Sequence, residues 1–141
     1  MKSVACPNLL GCLAALLSSA ATAGEKAYVP VPPTAMHAEV KTSCVPEEAT
    51  ITVKRDHGFK GSGIHSDLVV DGKPIAELRP GQTVTFCLPA DEHIVGVTWS
   101  MLGGFSNNKR EIAAEIRAGK NYFFRIFILH AQGATIERTA E

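Results

Sequence analysis

Past Ala49 the chain is cut at short intervals by turn signals, which leaves room for strands and little for helices. Asp71-Gly72, Arg79-Pro80-Gly81-Gln82, Pro89-Ala90-Asp91-Glu92 and Ala118-Gly119-Lys120 punctuate it. Glycine supplies the positive φ that Asp-Gly hairpins and Pro-Gly type II turns demand. Between these turns apolar and polar residues alternate, the period of a half-buried strand. Over 49–55, Ile51 and Val53 share one face, opposite Thr50, Thr52 and Lys54. Over 83–88, Val84, Phe86 and Leu88 point inward, while Thr85 and Cys87 point outward. Further strands are predicted at 64–70, 73–78, 93–99 and 134–138. The stretch 121–129 is apolar on both faces apart from Arg125, the mark of a central strand. The stretch 109–117 carries two patterns. Glu111 and Glu115 stand four apart among alanines, as in a helix, yet Ile112, Ala114 and Ile116 alternate with charged residues. The alternation and the turn that follows favour a strand. About eight short strands give an all-β fold class: an antiparallel β-sandwich, immunoglobulin-like or prealbumin-like.

Residues 24–47 read as an arm. Pro30, Pro32, Pro33 and Pro46 remove backbone donors and bias their neighbours to extended conformations. No apolar period is sustained there, so the arm is expected to be extended and partly mobile, pinned only by a bond at Cys44. The predicted organisation is a targeting segment at 1–23, the arm at 24–47 and the sandwich at 48–141.

The first 23 residues have the form of a secretory signal. Lys2 opens it, an apolar run follows from Leu9 to Leu17, and Ala21-Thr22-Ala23 precedes Gly24 as a small-x-small cleavage site. The run is shorter than the ~20 residues of a membrane span. Cleavage between Ala23 and Gly24 would place the protein in the periplasm or outside the cell. A competing lipobox, Leu9-Leu10-Gly11-Cys12, would make Cys12 an acylated anchor; Pro7-Asn8 interrupts the little apolar sequence before it, so it is disfavoured.

Removing 23 of 141 residues leaves 118, enough for one domain, and takes Cys6 and Cys12 with it. Cys44 and Cys87 then stand alone in an oxidising compartment and are predicted to pair. The bond would close a loop of about 44 residues, worth roughly 4 kcal/mol in the chain-entropy model. Fourteen basic residues balance fourteen acidic ones. Without a basic stripe or charge block, nucleic acid and anionic membrane surfaces are not expected partners.

Leu68-Val69-Val70-Asp71-Gly72-Lys73, Pro80-Gly81, the 88–97 stretch and Gly119-Lys120-Asn121-Tyr122-Phe123-Phe124-Arg125 resemble a family of bacterial exported proteins and lipoproteins of unknown function. That family is similar in pattern to PEGA-type modules, and the resemblance spans residues 49–138. It implies a β-sandwich at the cell envelope and supplies no catalytic residues. The chain departs from it at 89–92, where Pro-Ala-Asp-Glu replaces the Pro-Gly turn followed by His of such modules.

No zinc-type cysteine pair, phosphate-cradling glycine loop, nucleophile elbow or metalloprotease helix is present. Glu47-Glu48 and Asp91-Glu92 read as solvated turn acids. Ser62 and Ser66 have histidines nearby but no strained turn or oxyanion donors. The chain is therefore not expected to be an enzyme, and no catalytic residue, cofactor or metal is assigned.

If every connection reverses direction, the loops at 71–72, 89–92 and 118–120 share one end of the sandwich and are short. Those at 56–63, 79–82, 100–108 and 130–133 share the other. That longer end carries His57, Phe59, Trp99, Met101, Leu102, Phe105 and His130, which become the candidate binding residues. The same apolar loop, folded inward, would give Trp99 and Phe105 to the core. The expected function is a non-catalytic envelope module that binds a protein or envelope polymer through the long-loop end. Two alternatives stand beside it: a metal or small-ligand binder using His57, His65 and His130, and a purely structural module.

Overall fold

The computed structural model describes residues 26–37, 39–58, 63–101, 108–129 and 133–140. Among them nine strands form: β1 (Val29–Pro30), β2 (Glu48–Arg55), β3 (Ile64–Val70), β4 (Lys73–Leu78), β5 (Gln82–Pro89), β6 (Glu92–Met101), β7 (Asn108–Glu115), β8 (Asn121–Leu129) and β9 (Gly133–Thr139). The eight strands predicted from alternation are all present, β7 among them as strand. The ninth, β1, lies in the arm, whose only other regular element among the described residues is a 3-10 turn at Pro33–Ala35.

The protein is an all-β sandwich of two sheets, ordered β1-β5-β2-β8-β9 and β4-β3-β6-β7. Pairing is antiparallel except for β1 with β5 and β2 with β8. The second exception follows from the path after β7, which crosses between the sheets and enters β8 beside β2 in the same direction. Inward-facing Ile51, Val53, Leu68, Phe86, Val97 and Ile126 fill the space between the sheets. The strand directions place the turns 71–72, 90–91 and 116–120 at one end, and the ends of β2, β4, β6 and β8 at the other.

The arm is held far more firmly than its sequence predicts. The Val29 and Val31 N–H groups donate to Gly81 and Thr83 carbonyls on the β5 edge at 2.9 and 2.8 Å, and Val31 is buried. The chain then crosses to the other sheet, where Met36 bridges Ala76 and the His37 N–H donates to the Ile75 carbonyl at 3.0 Å. It returns to β5, where the Cys87 N–H donates to the Lys41 carbonyl at 2.9 Å. The arm thus closes one open flank of the sandwich. The disulfide is one attachment among several.

Cys44 and Cys87 are bonded, with Cα atoms 5.3 Å apart. The alternation of β5 places Cys87 on the outer face, opposite Phe86 and Leu88 in the core, and the arm crosses that face as expected. Among the described residues, no helix is long and apolar enough to cross a membrane.

Candidate functional site

Two candidates at the long-loop end prove to be parts of the architecture. His57 follows β2 and binds the start of the arm: its Nε2 lies 2.8 Å from the Lys26 carbonyl, and its ring sits 4.7 Å from that of Tyr28. The ring also packs against Gly81, whose φ of 78° closes the turn before β5; a Cβ there would overlap the imidazole. Trp99 lies within β6 and is only 7% exposed, so it belongs to the core rather than to a displayed loop. Gly133, at φ 79°, rests against its indole. Met101 is the last residue of β6. Phe59, Leu102, Phe105 and His130 lie outside the described residues, as do Ala23, Gly24 and Cys12.

Beneath this end sits an unexpected charge. Arg55 is 1% exposed, placed inward by the same parity that buries Ile51 and Val53. Its guanidinium donates to the Leu78 carbonyl at 2.5 Å and the Ile64 carbonyl at 2.9 Å, tying β2 to β3 and β4 across the sandwich. Burial pulls its pKa below the usual arginine value, opposed by the charge of Glu77. Neighbouring Asp56 receives the Arg125 guanidinium, with Nε at 2.6 Å. A hollow of about 230 Å³ opens between Arg55, His57, Pro80 and Ile126.

A larger concavity, about 640 Å³, lies toward the short-turn end on the flank closed by the arm. The start of β4 (Lys73, Pro74, Ile75), the end of β5 (Phe86, Leu88, Pro89) and arm residues His37, Glu39, Val40 and Lys41 line it. Phe86 and Leu88 belong to the core, and Val40 and Ile75 pack against that core from the side, so the cleft has an apolar interior. Its rim carries both signs of charge, with Glu39 and Lys73 beside a Lys41–Glu48 ion pair at 2.8 Å. The Lys41 ammonium and the Val45 N–H hold Glu48 below the usual carboxylate range, against the opposing effect of burial. Pockets that bind small ligands combine an apolar lining with a few polar groups in this way.

Groups that resemble metal or acid–base sites have other partners. Cys44, Glu48 and Cys87 bring ligand atoms within 4.8 Å of one another, but the two sulfurs are bonded to each other and offer no thiolate. His57 and His65 are not brought together: His65 Nδ1 meets Glu77 Oε1 at 3.0 Å on the outer face. Asp67, opposite Glu77 in the β3–β4 ladder, is held above the usual aspartate range by burial and then by the Glu77 charge. Neither carboxylate lines the hollows described above.

A half-buried pair that the alternation gave no hint of, with His93 inside and Asp71 exposed, closes the short-turn end. Asp71 sits at φ 50° in the turn after β3. Its Oδ1 accepts the Ile94 N–H at 2.8 Å, and its Oδ2 meets His93 Nδ1 at 2.6 Å. His93 Nε2 meets the Pro89 carbonyl at 3.0 Å. Both partners of the imidazole are acceptors, an arrangement that favours the doubly protonated, cationic ring. Burial opposes that charge, but the Asp71 carboxylate and the Pro89 carbonyl outweigh it and lift the His93 pKa.

No family model and no curated protein matches the chain. A solved structure described as the NMR structure of the protein from Eubacterium rectale is similar over 67% of this chain and 91% of that chain, with 17% identity and a TM-score of 0.44.

Proposed function

We propose that this chain is an exported, non-catalytic binding module of an oxidising compartment, and that its ligand is an extended peptide segment seated in the cleft beneath the arm. The cleft itself carries this reading. It joins an apolar interior to a rim bearing Lys73 and Glu39, and both charge signs beside apolar walls suit the side chains of a polypeptide better than an uncharged polymer. The disulfide supports the compartment, since such bonds persist where thiols are not kept reduced. The non-catalytic reading is supported by the roles of the perturbed titratable groups, which join strands and turns to one another.

The test compares two sets of substitutions. Val40→Asp with Lys73→Glu alters the cleft, whereas Met101→Ser, Leu102→Ser and Phe105→Ser alter the long-loop end. Peptides selected on the exported protein from a random display library should lose binding about tenfold or more on the cleft variant. They should bind the loop variant unchanged, with the same circular dichroism throughout. Loss confined to the loop variant would return the site to the long-loop end, and selection of no peptide would remove the reading.

A further inference from the structure

On the flank away from the arm, the same end of the sandwich gathers an excess of positive charge, and we infer that it is a binding site for a phosphate group. Two segments supply the cations. Arg117 and Lys120 come from the crossing between β7 and β8, and Arg138 comes from the end of β9. They border a hollow of about 410 Å³ that also contains Asn121, Tyr122 and one carboxylate, Glu115. Three cations and one acid leave the hollow with an excess of two positive charges.

Two of the three cations, Arg138 and Lys120, are unengaged in a way that points to a ligand. Ala134 and Ile136 face the core, so strand parity puts Arg138 on the inner face of β9, at the mouth of the sandwich. Its guanidinium carbon lies 4.7 Å from the centre of the Tyr122 ring. That contact holds the cation in place but satisfies none of its five N–H donors. Neither Arg138 nor Lys120 forms an ion pair or side-chain hydrogen bond with any described residue. Tyr122 is 5% exposed. Its hydroxyl oxygen accepts the Arg117 N–H at 2.9 Å, and its own hydrogen has no acceptor among the described residues. Arg117 donates to Glu115 at 3.0 and 3.1 Å, but the two side chains are 71% and 69% exposed, and such surface pairs are weak competitors.

The frame beneath these donors is fixed. The Ile116 N–H donates to the Asp91 carbonyl at 2.8 Å, the Gly119 N–H to the Glu48 carbonyl at 2.9 Å, and the Thr50 N–H to the Lys120 carbonyl at 3.0 Å. Gly119 at φ 68° makes the tight turn that presents Lys120. Donors on a frame already ordered give up little conformational freedom on binding. Two guanidinium groups, an ammonium, a phenol and an amide form a set of donors around one space. A phosphate can accept from several of them at once through separate oxygens, and guanidinium forks match its geometry. A carboxylate has only two oxygens to offer.

The test is a proton–nitrogen NMR titration of the exported protein with inorganic phosphate at constant ionic strength, with acetate and chloride as comparison anions. Saturable shifts at Arg117, Gly119 to Asn121 and Arg138 are expected with phosphate, at lower concentration than with acetate. Arg138→Gln with Lys120→Gln should weaken binding about tenfold. Glu115→Gln should strengthen it several-fold, a gain that general damage to the fold would not produce. Flotation with phosphatidylcholine vesicles, with and without phosphatidylglycerol, separates two sources of the group. Recruitment that depends on Lys120 and Arg138 assigns a lipid headgroup, and phosphate binding without recruitment assigns a soluble or polymer-borne phosphate. Equal responses to phosphate and chloride, or titrations unchanged in the double variant, would overturn the inference. Because the phosphate hollow and the peptide cleft share no lining residue and the probes differ, failure of this inference can be told apart from failure of the peptide-binding proposal.

Discussion

The Asp71 carboxylate reaches His93 Nδ1 at 2.6 Å and, through its other oxygen, the Ile94 N–H at 2.8 Å. A side chain in the β3–β4 turn thereby captures the start of β6, the strand beside β3. The pair is separated by 22 positions in sequence and joins two turns that have no covalent reason to stay together.

This pair predicts an optimum in stability. The His93 pKa is raised above its ordinary 6.5, so its contribution is complete below pH 6.5 and is lost as pH climbs through the raised value. The Asp71 pKa is lowered from 3.8, because the bonds to His93 and Ile94 outweigh burial. Its contribution is present above pH 3.8 and is lost as pH falls through the lowered value. Stability from the pair is therefore greatest between about pH 4 and 6.5. Asp71→Asn keeps a residue tolerant of positive φ but removes the ion pair. Urea denaturation should show a stability loss of about 1–2 kcal/mol at pH 5.5, smaller at pH 9. A loss independent of pH would contradict the assignment.

Arg55 should be among the least replaceable residues. Arg55→Ala removes the donors to the Leu78 and Ile64 carbonyls and leaves a void in the core. A loss of about 3–5 kcal/mol is expected by urea denaturation. Arg55→Met keeps most of the volume and should recover part of that loss. Indifference to both changes would mean that the buried guanidinium carries little of the connection between the sheets.

Reduction of Cys44–Cys87 should loosen one part of the arm only. The residues nearest the bond, 41–47, should lose hydrogen-exchange protection together with the Cys87 amide. The Val29 and Val31 amides, bonded independently to β5, should keep theirs. Overall stability should fall by about 2–4 kcal/mol. His57→Ala should give the complementary result, with exchange rising near Lys26 and Val29 while 41–47 stay protected. If reduction freed the whole arm, the bond would be its sole anchor after all.

Gly133 offers a test of the Trp99 environment. At φ 79° and against the indole, Gly133→Ala meets both backbone strain and overlap. It should lower stability by about 2 kcal/mol or more and shift Trp99 fluorescence, the only tryptophan signal of the chain. An unshifted emission would mean that the indole does not depend on the bare backbone above it.

Much of this architecture could be read from alternation, because parity is a local property. It placed Val84, Phe86 and Leu88 inside and Cys87 outside, and so located the disulfide on the outer face of β5. The same parity points Arg55 inward after Ile51 and Val53, a signal easily passed over because a terminal arginine looks like a solvent-facing strand end. Other features have no local trace. The parallel pairing of β2 with β8 depends on where the chain re-enters a sheet after 65 intervening residues, from Arg55 to Asn121. The arm docks through backbone groups, which any sequence possesses, so its prolines announced extension but not attachment. Asp71-Gly72 reads as a hairpin turn whether or not its carboxylate finds a histidine. The cationic hollow is assembled from the crossing segment and the end of β9, so no single stretch of sequence displays it.

The direction of β1 gives the molecule a handle and a working end. Because β1 runs parallel to β5, the arm enters beside His57 and descends toward the short turns. Whatever is joined upstream of Lys26, a leader during export or an acyl chain at Cys12, would grip the protein by its long-loop end. The cleft beside the arm and the cationic hollow would then face outward, roughly 25 Å away along a strand of eight residues. Anchorage and recognition would occupy opposite poles, so a tether of any length could be changed without touching either site.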